Sequence, residues 1–164
     1  VEDKLGRITV RDLINTEARI YPVGRLDYDT TGLIILTNDG DFANMLMHPS
    51  YEIEKTYVAK INKVLDKDDI NKLKKGIVID NRKVDIKRFK VRKKDVEKNT
   101  SIVELTIVEG RNHIVKKIFE NMRIDVIKLS RVSYAFLTLD GLKSGEYRKL
   151  SIKEIKKLYA LKKC

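Results

Sequence analysis

The amino-acid sequence predicts an α+β domain, in which a mainly antiparallel mixed sheet is flanked by a few helices. Segments with the pattern of strands outnumber segments with the pattern of helices. Short turns such as Asp80-Asn81 and Asn99-Thr100 separate neighbouring strand segments, which favours antiparallel pairing. No internal repeat and no linker-like stretch interrupts the sequence, so we expect a single domain over residues 1–164.

The strand predictions depend on short apolar or alternating segments that end at turn residues. Residues 32–37 are a continuous apolar run that stops at Asn-Asp-Gly, which predicts a buried strand and then a turn. Residues 55–60 alternate, so that a strand there places Tyr57 and Ala59 on the same face. Further strands are predicted over residues 77–79, 84–91, 102–108, 126–132 and 136–139.

The helix predictions depend on apolar residues at helical spacing together with capping residues. The first helix follows Asp39 or Asp41, either of which can cap its start, and it ends at His48-Pro49. Amphipathic patterns predict further helices over residues 66–75, stopped by Gly76, over 112–122, and over 152–161, capped by Ser151. Residues 9–14 predict a short helix or a turn.

The composition indicates a basic globular chain. Lys and Arg number 35 against 24 Asp and Glu, a formal net charge of +11, which favours a polyanionic partner such as nucleic acid. No apolar run approaches the ~18 residues that a membrane span needs, so we expect a cytoplasmic protein without a membrane contact. The lone Cys164 excludes an internal disulfide framework. His48 and His113 have no cysteine near them, and we therefore expect no metal site.

One segment concentrates polar chemistry directly before a predicted buried strand. Asp27, Asp29 and the two threonines that follow lie in a loop anchored by residues 32–37. Catalytic groups are commonly carried on such loops. From the residues alone, the simpler interpretation is that the two carboxylates only form an Asx-type turn.

The same segment also imitates the start of a calcium-binding loop, with Asp27, Asp29 and Gly32 at the first, third and sixth positions. The imitation fails further along. Thr31 stands at the fifth position, and Asn38 stands at the twelfth, where a bidentate Glu belongs. We therefore reject a calcium site.

Several blocks of sequence, spread over nearly the whole chain, carry a resemblance to a known family. They are Gly-Arg-Leu-Asp at 24–27 with Thr-Gly-Leu at 31–33, Leu-Thr-Asn-Asp-Gly at 36–40, Glu-Lys-Thr-Tyr at 54–57, Gly-Arg-Asn-His-Ile-Val-Lys-Lys-Ile-Phe at 110–119, Leu-Ser-Arg at 129–131 and Gly-Glu-Tyr-Arg-Lys-Leu at 145–150.

In this order and at this spacing, the blocks resemble the RsuA-type pseudouridine synthases, bacterial enzymes that modify ribosomal RNA. The resemblance implies the catalytic fold of that family and the isomerisation of a uridine to pseudouridine. The reaction involves no redox change, so the resemblance implies no cofactor. Asp27 matches the family's catalytic aspartate, which either attacks C1′ of the ribose or assists elimination across C1′–C2′.

The resemblance implies two further catalytic residues. Lys116 matches the cation that pairs with the catalytic Asp27, although it is also compatible with the solvated face of a helix. Tyr57 matches a tyrosine proposed to stack on the uracil ring, and a core aromatic is the alternative interpretation. Ile114 stands where Gln is usual in the family, so any hydrogen bond from that side chain is lost.

The remaining site residues are predicted to contact the RNA substrate. A base-modifying enzyme must take its target out of the stack, and Arg25 is expected to fill the vacated space. Val115 is expected to supply an apolar contact in the same pocket. The basic stretch over residues 87–94 is more simply a solvated strand. The expected phosphate or base contacts are Lys55, Arg111, Asn112, His113, Lys117 and Arg131.

The resemblance leaves several points as expectations. Nothing here resembles the small S4-type RNA-binding module that usually precedes this catalytic domain, and its first strand is also expected to be absent. Residues 134–142 resemble the branch of the family that acts on 23S rather than 16S RNA. We expect a monomer. The alternative function is a non-catalytic RNA-binding or ribosome-assembly protein that uses the same basic surface.

Overall fold

The structure is a computed structural model that describes residues 19–108, 110–111 and 113–161. The prediction for residues 9–14 and the contact expected of Asn112 lie outside the described residues. Within them the strands are β1 (Tyr21–Pro22), β2 (Thr30–Gly32), β3 (Leu36–Thr37), β4 (Lys55–Ile61), β5 (Ile77–Ile79), β6 (Arg82–Val84), β7 (Ile86–Asp95), β8 (Thr100–Ile107), β9 (Val126–Tyr134) and β10 (Leu137–Thr138). The helices are α1 (Gly40–Met47), a 3₁₀ turn (Pro49–Tyr51), α2 (Lys67–Lys75), α3 (Ile114–Asn121) and α4 (Ile152–Tyr159).

The described chain falls into two compact units. The first comprises the described parts of residues 1–25, 34–52 and 139–164, and the second comprises 26–33 and 53–138. In the first unit, β1 pairs with β3 in antiparallel fashion, and helices α1 and α4 belong to the same unit. The prediction of a single domain over the whole chain stays a prediction.

The second unit is built on a six-stranded sheet with the order β10-β9-β4-β8-β7, and β2 also pairs with β9. Every pair in this sheet is antiparallel except β2 with β9, which is parallel. The strands β5 and β6 form a separate hairpin. The predicted α+β class with a mainly antiparallel mixed sheet is therefore confirmed.

The core of the second unit lies on one face of this sheet. Alternation along β4 buries Ala59 and Ile61, and the facing positions of β8 bury Val103 and Leu105 completely. Apolar residues of α3 pack against these strands, because Phe119 and its neighbours recur at helical spacing. A rigid, apolar sheet face therefore carries the residues discussed below.

The capping predictions are confirmed. The Asp39 side chain accepts from two amides of the first turn of α1. Asp66 precedes α2 and Ser151 precedes α4, each in a reciprocal capping box with the residue three positions later. Gly76 ends α2. No helix in the described part of the chain is long and apolar enough to cross a membrane.

Two strand predictions are wrong in their continuity. The apolar run 32–37 is not one strand, because β2 ends at Gly32 and β3 begins at Leu36. The Leu33 amide donates to the carbonyl of Arg131, whereas the Ile35 carbonyl accepts from Val23, so the two ends of the run bond to different segments. The predicted strand 84–91 is likewise divided at position 85, between β6 and β7.

Candidate active site

The loop that carries the two aspartates closes onto β2. The Asp27 carbonyl accepts from the amide of Thr30 at 2.9 Å, which turns the chain into the strand. Gly32 then pairs with Arg131 of β9 at a φ of +116°. A Cβ at this position would lie 2.1 Å from the Arg131 carbonyl oxygen, so only glycine allows the approach. The loop is therefore anchored to the sheet directly after Asp29.

The two carboxylates of this loop differ in exposure and in partner. The Asp27 side chain is 16% exposed, and its Oδ2 lies 3.0 Å from Nδ1 of His113. An ionised carboxylate only accepts, so Nδ1 donates. His113 precedes α3 in the left-handed region, with a φ of +55°. That geometry directs the imidazole of an exposed residue to a half-buried carboxylate.

The second carboxylate, Asp29, is 64% exposed and bonds the ammonium group of Lys116, one turn into α3. The hydrogen bond from Lys116 holds the pKa of Asp29 below its usual value, against the opposing effect of desolvation. The pairing of Lys116 with Asp27 that the resemblance implied is therefore not seen. The reason is geometric. His113, directly before α3, reaches Asp27, and Lys116, one turn further along, reaches Asp29.

The sheet presents a cluster of polar side chains beside this core. Residue alternation places Lys55 and Tyr57 on the same face of β4. On β9, Arg131 is opposite Tyr57 and Tyr134 is opposite Lys55. Arg131 and Tyr134 are three positions apart, whereas Lys55 and Tyr57 are only two positions apart. The register shift between Thr56 and Tyr57 leaves one extra residue in β9, which brings both β9 side chains to the same face.

Arg131 is a buried cation, with only 3% of its surface exposed. Its Nε donates to the carbonyl of Leu33 at 2.9 Å, and its guanidinium carbon lies 5.4 Å from the centre of the Tyr134 ring. Its Nη2 is buried without a hydrogen-bond partner. Arg131 therefore ties the aspartate-bearing segment to β9, and it leaves one donor unused.

Lys55 is half-buried and lies near the same aromatic ring. Its Nζ is 5.9 Å from the centre of the Tyr134 ring. Burial, with a smaller contribution from the charge of Arg131, lowers the pKa of Lys55 to about 8. Burial also raises the pKa of the Tyr134 hydroxyl to about 12, against the effect of the Arg131 charge.

The other predicted RNA contacts occupy different environments. Arg111 donates to the carbonyl of Ile79 at 2.6 Å and so binds the β5–β6 hairpin. Lys117 lies 3.5 Å from the carboxylate of Asp80 in that hairpin. Val115, on α3, is buried in the core. Arg25 is exposed and belongs to the first unit, whereas the residues of this cluster belong to the second unit.

The basic stretch over residues 87–94 forms most of β7, the edge strand of the six-stranded sheet. Its cations are exposed, and Arg88 pairs with Glu54. Charged side chains on an edge strand also discourage association with another sheet. The described residues contain no group of three or more His, Cys, Asp or Glu side chains that could hold a metal ion.

Two residues of this cluster were not among the site residues predicted from the sequence. The sequence predicts Asp29 only as a member of the polar loop or of an Asx-type turn, although its position two residues after Asp27 is a usable signal. Tyr134 lies between two predicted strands, in the segment that resembles the 23S branch, and nothing in the sequence indicates the extra residue in β9 that turns its ring towards Lys55. A one-residue irregularity of this kind depends on the pairing of three strands.

Comparison with known proteins identifies the class to which this fold and site belong. The family described as "RNA pseudouridylate synthase" matches residues 3–121. The chain belongs to the RNA pseudouridylate synthase family, and the resemblance stated from the sequence is confirmed.

Individual relatives agree with this assignment. The "Ribosomal large subunit pseudouridine synthase B" of Bacillus subtilis (strain 168) is 51% identical over 161 residues, which are 98% of this chain and 66% of that protein. An "Uncharacterized RNA pseudouridine synthase" of Aquifex aeolicus (strain VF5) is 36% identical over 94% of this chain and 61% of that protein. A solved structure described as "Crystal structure of pseudouridylate synthase" has a TM-score of 0.76 at 33% identity, over 92% of this chain and 65% of that one. The chain thus spans less than two thirds of these proteins' length.

Proposed function

We propose that this chain converts a specific uridine of ribosomal RNA to pseudouridine, with Asp27 as the nucleophile. The observation that carries the proposal is the environment of Asp27. It is a half-buried carboxylate, held by the imidazole of His113, on a loop fixed to the sheet through Gly32. Membership of the RNA pseudouridylate synthase family supports the reaction type.

The reaction is an isomerisation that balances without a co-reactant. The N1–C1′ bond of uridine breaks, the uracil turns over, and C5 bonds to C1′, while a proton leaves C5 and N1 gains one. Asp27 either attacks C1′ or assists elimination across C1′–C2′, and both routes need an ionised carboxylate. The hydrogen bond from His113 fixes the direction of the Asp27 carboxylate.

We propose that Tyr57 and Arg25 also contact the RNA substrate. The Tyr57 ring is half-buried on the face of the sheet that also carries Arg131, where a flat base can stack on it. The target nucleotide has to leave its stack to reach Asp27. Arg25 is exposed two positions before Asp27, and we propose that its guanidinium fills the space that the flipped base leaves.

We favour 23S over 16S RNA as the substrate. The relative with 51% identity is named as a synthase of the large ribosomal subunit. The net charge of +11 suits any RNA and does not distinguish the two. Ion pairs with Asp29 and Asp80 leave Lys116 and Lys117 with less free charge for phosphates than the sequence implied. A monomer remains our proposal for the oligomeric state.

The experiment is to incubate the protein with 23S and 16S transcripts and to map pseudouridine by carbodiimide modification and primer extension. We expect one new stop, on 23S RNA, that is absent with Asp27→Asn. Asn is nearly isosteric with Asp, so RNA affinity should persist in that variant. A stop that persists with Asp27→Asn would contradict the nucleophile assignment. Tight binding of the wild type without any stop on either RNA would instead favour the non-catalytic RNA-binding alternative.

A further inference from the structure

Lys55 and Arg131 are at least half-buried cations of the second unit that have no anionic partner among the described residues. None of the ion pairs formed there involves either residue. By contrast, the neighbouring cations Lys116, Lys117 and Arg88 are each paired with a carboxylate. Lys55 and Arg131 instead both lie near one aromatic ring, that of Tyr134.

This arrangement is costly unless another molecule supplies negative charge. Buried charges in proteins are normally paired, since a buried charge without a partner loses its hydration and gains no compensating interaction. Arg131 is nearly fully buried, and its Nη2 lacks even a hydrogen-bond acceptor. Lys55 is less buried, and its ammonium group is therefore the part of the pair that a ligand can reach.

We propose that Lys55, together with the nearby charge of Arg131, is the binding subsite for one phosphate of the RNA backbone. This inference rests on the proposed function only in taking RNA as the ligand. Arg131 acts as a positioning residue: it raises the positive potential at Lys55 and does not itself contact the phosphate. A bound phosphate supplies the missing anion and keeps Lys55 protonated.

A phosphate suits this position better than an oxygen of the uracil ring. Lys55 and Arg131 carry their charge in the resting protein, and a phosphate offers a standing negative charge. Uracil is anionic only transiently, after the N1–C1′ bond has broken. Lys55 also lies two residues from Tyr57 along β4, a separation of about 7 Å. The ammonium group is therefore close enough to a base stacked on Tyr57 to bind a phosphate of the same nucleotide or of its neighbour.

The chain offers a matched control on the same strand. Lys60 is exposed and lies on the opposite face of β4, because it is five positions from Lys55 in an alternating strand. Removal of either lysine changes the net charge by the same amount. Lys55→Ala should lose affinity, whereas Lys60→Ala should match the wild type, and Lys55→Arg should restore most of what Lys55→Ala loses.

The test is the dissociation constant of labelled pentauridylate for the wild type and these three variants, measured between 50 and 300 mM KCl. With Lys55→Ala we expect about tenfold weaker binding and a salt slope reduced by nearly one counterion, on the order of 0.7 for a single strand. Uridine without phosphate should bind the wild type and Lys55→Ala equally. Equal losses with Lys55→Ala and Lys60→Ala, or no loss with either, would overturn the subsite.

A second measurement separates a phosphate subsite from a structural role. Lys55 has a folded-state pKa of about 8, below its ordinary 10.5, so the folded protein gains stability as pH rises through that window. Among the described residues, Lys55 has Tyr57 on its own strand, Ile107, Arg131 and Tyr134 opposite it and Gly110 near its ammonium group, and none of these carries a carboxylate. Lys55→Met should therefore unfold at the same temperature as the wild type at pH 7, or higher. A lower unfolding temperature would indicate a structural role.

These measurements use no turnover, so they are independent of the proposed reaction. Loss of affinity in Lys55→Ala, together with a wild type that forms no pseudouridine, would retain the subsite and remove the reaction. If instead the single-turnover rate falls in Lys55→Ala while the affinity for pentauridylate is unchanged, the phosphate assignment is wrong and a uracil oxygen is the partner.

Discussion

Asp27 and Asp29 lie two positions apart in one loop, yet their environments are opposite. Asp27 is mostly shielded and meets an imidazole, whereas Asp29 is mostly exposed and meets an ammonium group. A carboxylate that attacks a ribose needs shielding from water and a fixed direction, which only Asp27 has. An exposed carboxylate with a lysine partner is better suited to holding a loop in place. The comparison supports the proposal that Asp27 carries the chemistry and that Asp29 holds the loop.

The largest effect is expected from a substitution of Gly32, which anchors the loop that carries both aspartates. Gly32→Ala puts a Cβ against the Arg131 carbonyl at a φ that L-residues rarely adopt. We expect a loss of about 3 kcal/mol in the free energy of unfolding and loss of activity, because β2 separates from β9. Urea denaturation measures this. The matched control is Gly24→Ala, where φ is +71° but a Cβ meets no atom within 4 Å; its cost should stay near ~1 kcal/mol. Equal costs would contradict the role of the close approach.

The next largest effect is expected from substitutions of His113, the hydrogen-bond partner of Asp27. His113→Ala removes a hydrogen bond to a charged acceptor, worth about 1.5–3 kcal/mol, so we expect a rate reduced roughly 10–100-fold. His113→Asn should retain much of the activity, because Asn offers an N–H donor and tolerates the left-handed φ. Single-turnover kinetics on a 23S transcript compares them. An unchanged rate in His113→Ala would remove His113 from the site.

A double-mutant cycle tests which aspartate Lys116 serves. If Lys116 acts through Asp29, then Lys116→Ala, Asp29→Asn and the double variant should all lose the same activity, less than about tenfold. The two changes would then be non-additive. A loss far larger in Lys116→Ala than in Asp29→Asn would mean that Lys116 acts on Asp27 directly during the reaction, as the family resemblance implied.

The smallest effect concerns stability and pH. Because Lys116 lowers the pKa of Asp29 in the folded state, the pair stabilises the protein above the unfolded pKa near 3.8. That contribution disappears as pH falls through the lower folded pKa. Asp29 is exposed, so Asp29→Asn should cost less than about 1 kcal/mol at pH 7. The difference from the wild type, followed by thermal unfolding, should vanish on acidification, and a difference that grows would contradict the pairing.

The sequence predicted well those features that depend on local chemistry. The capping residues Asp39 and Ser151 predicted the starts of two helices, since each side chain bonds an amide within its own turn. The family resemblance located the loop of Asp27. The caps involve residues that are close in sequence, and the resemblance depends on family motifs spread over the chain.

Features that depend on pairing between distant strands could not be predicted. The apolar run 32–37 reads as one strand, but its Gly32 end pairs with Arg131, about a hundred positions away, and its Leu36 end pairs with Pro22, so that two separate strands form. The choice between Asp27 and Asp29 for Lys116 depends on how α3 begins after a left-handed His113. The Lys55–Arg131 pair forms only because β9 has an extra residue beside β4.

The most direct test of the central claim compares Asp27→Asn with Asp29→Asn in one assay. Pseudouridine formation replaces the C5–H bond of uridine, so a transcript of 23S RNA labelled with tritium at C5 releases tritium on modification. We expect no release with Asp27→Asn under single-turnover conditions, and at least about a tenth of the wild-type rate with Asp29→Asn. Release by Asp27→Asn together with its absence in Asp29→Asn would reverse the assignment of the nucleophile.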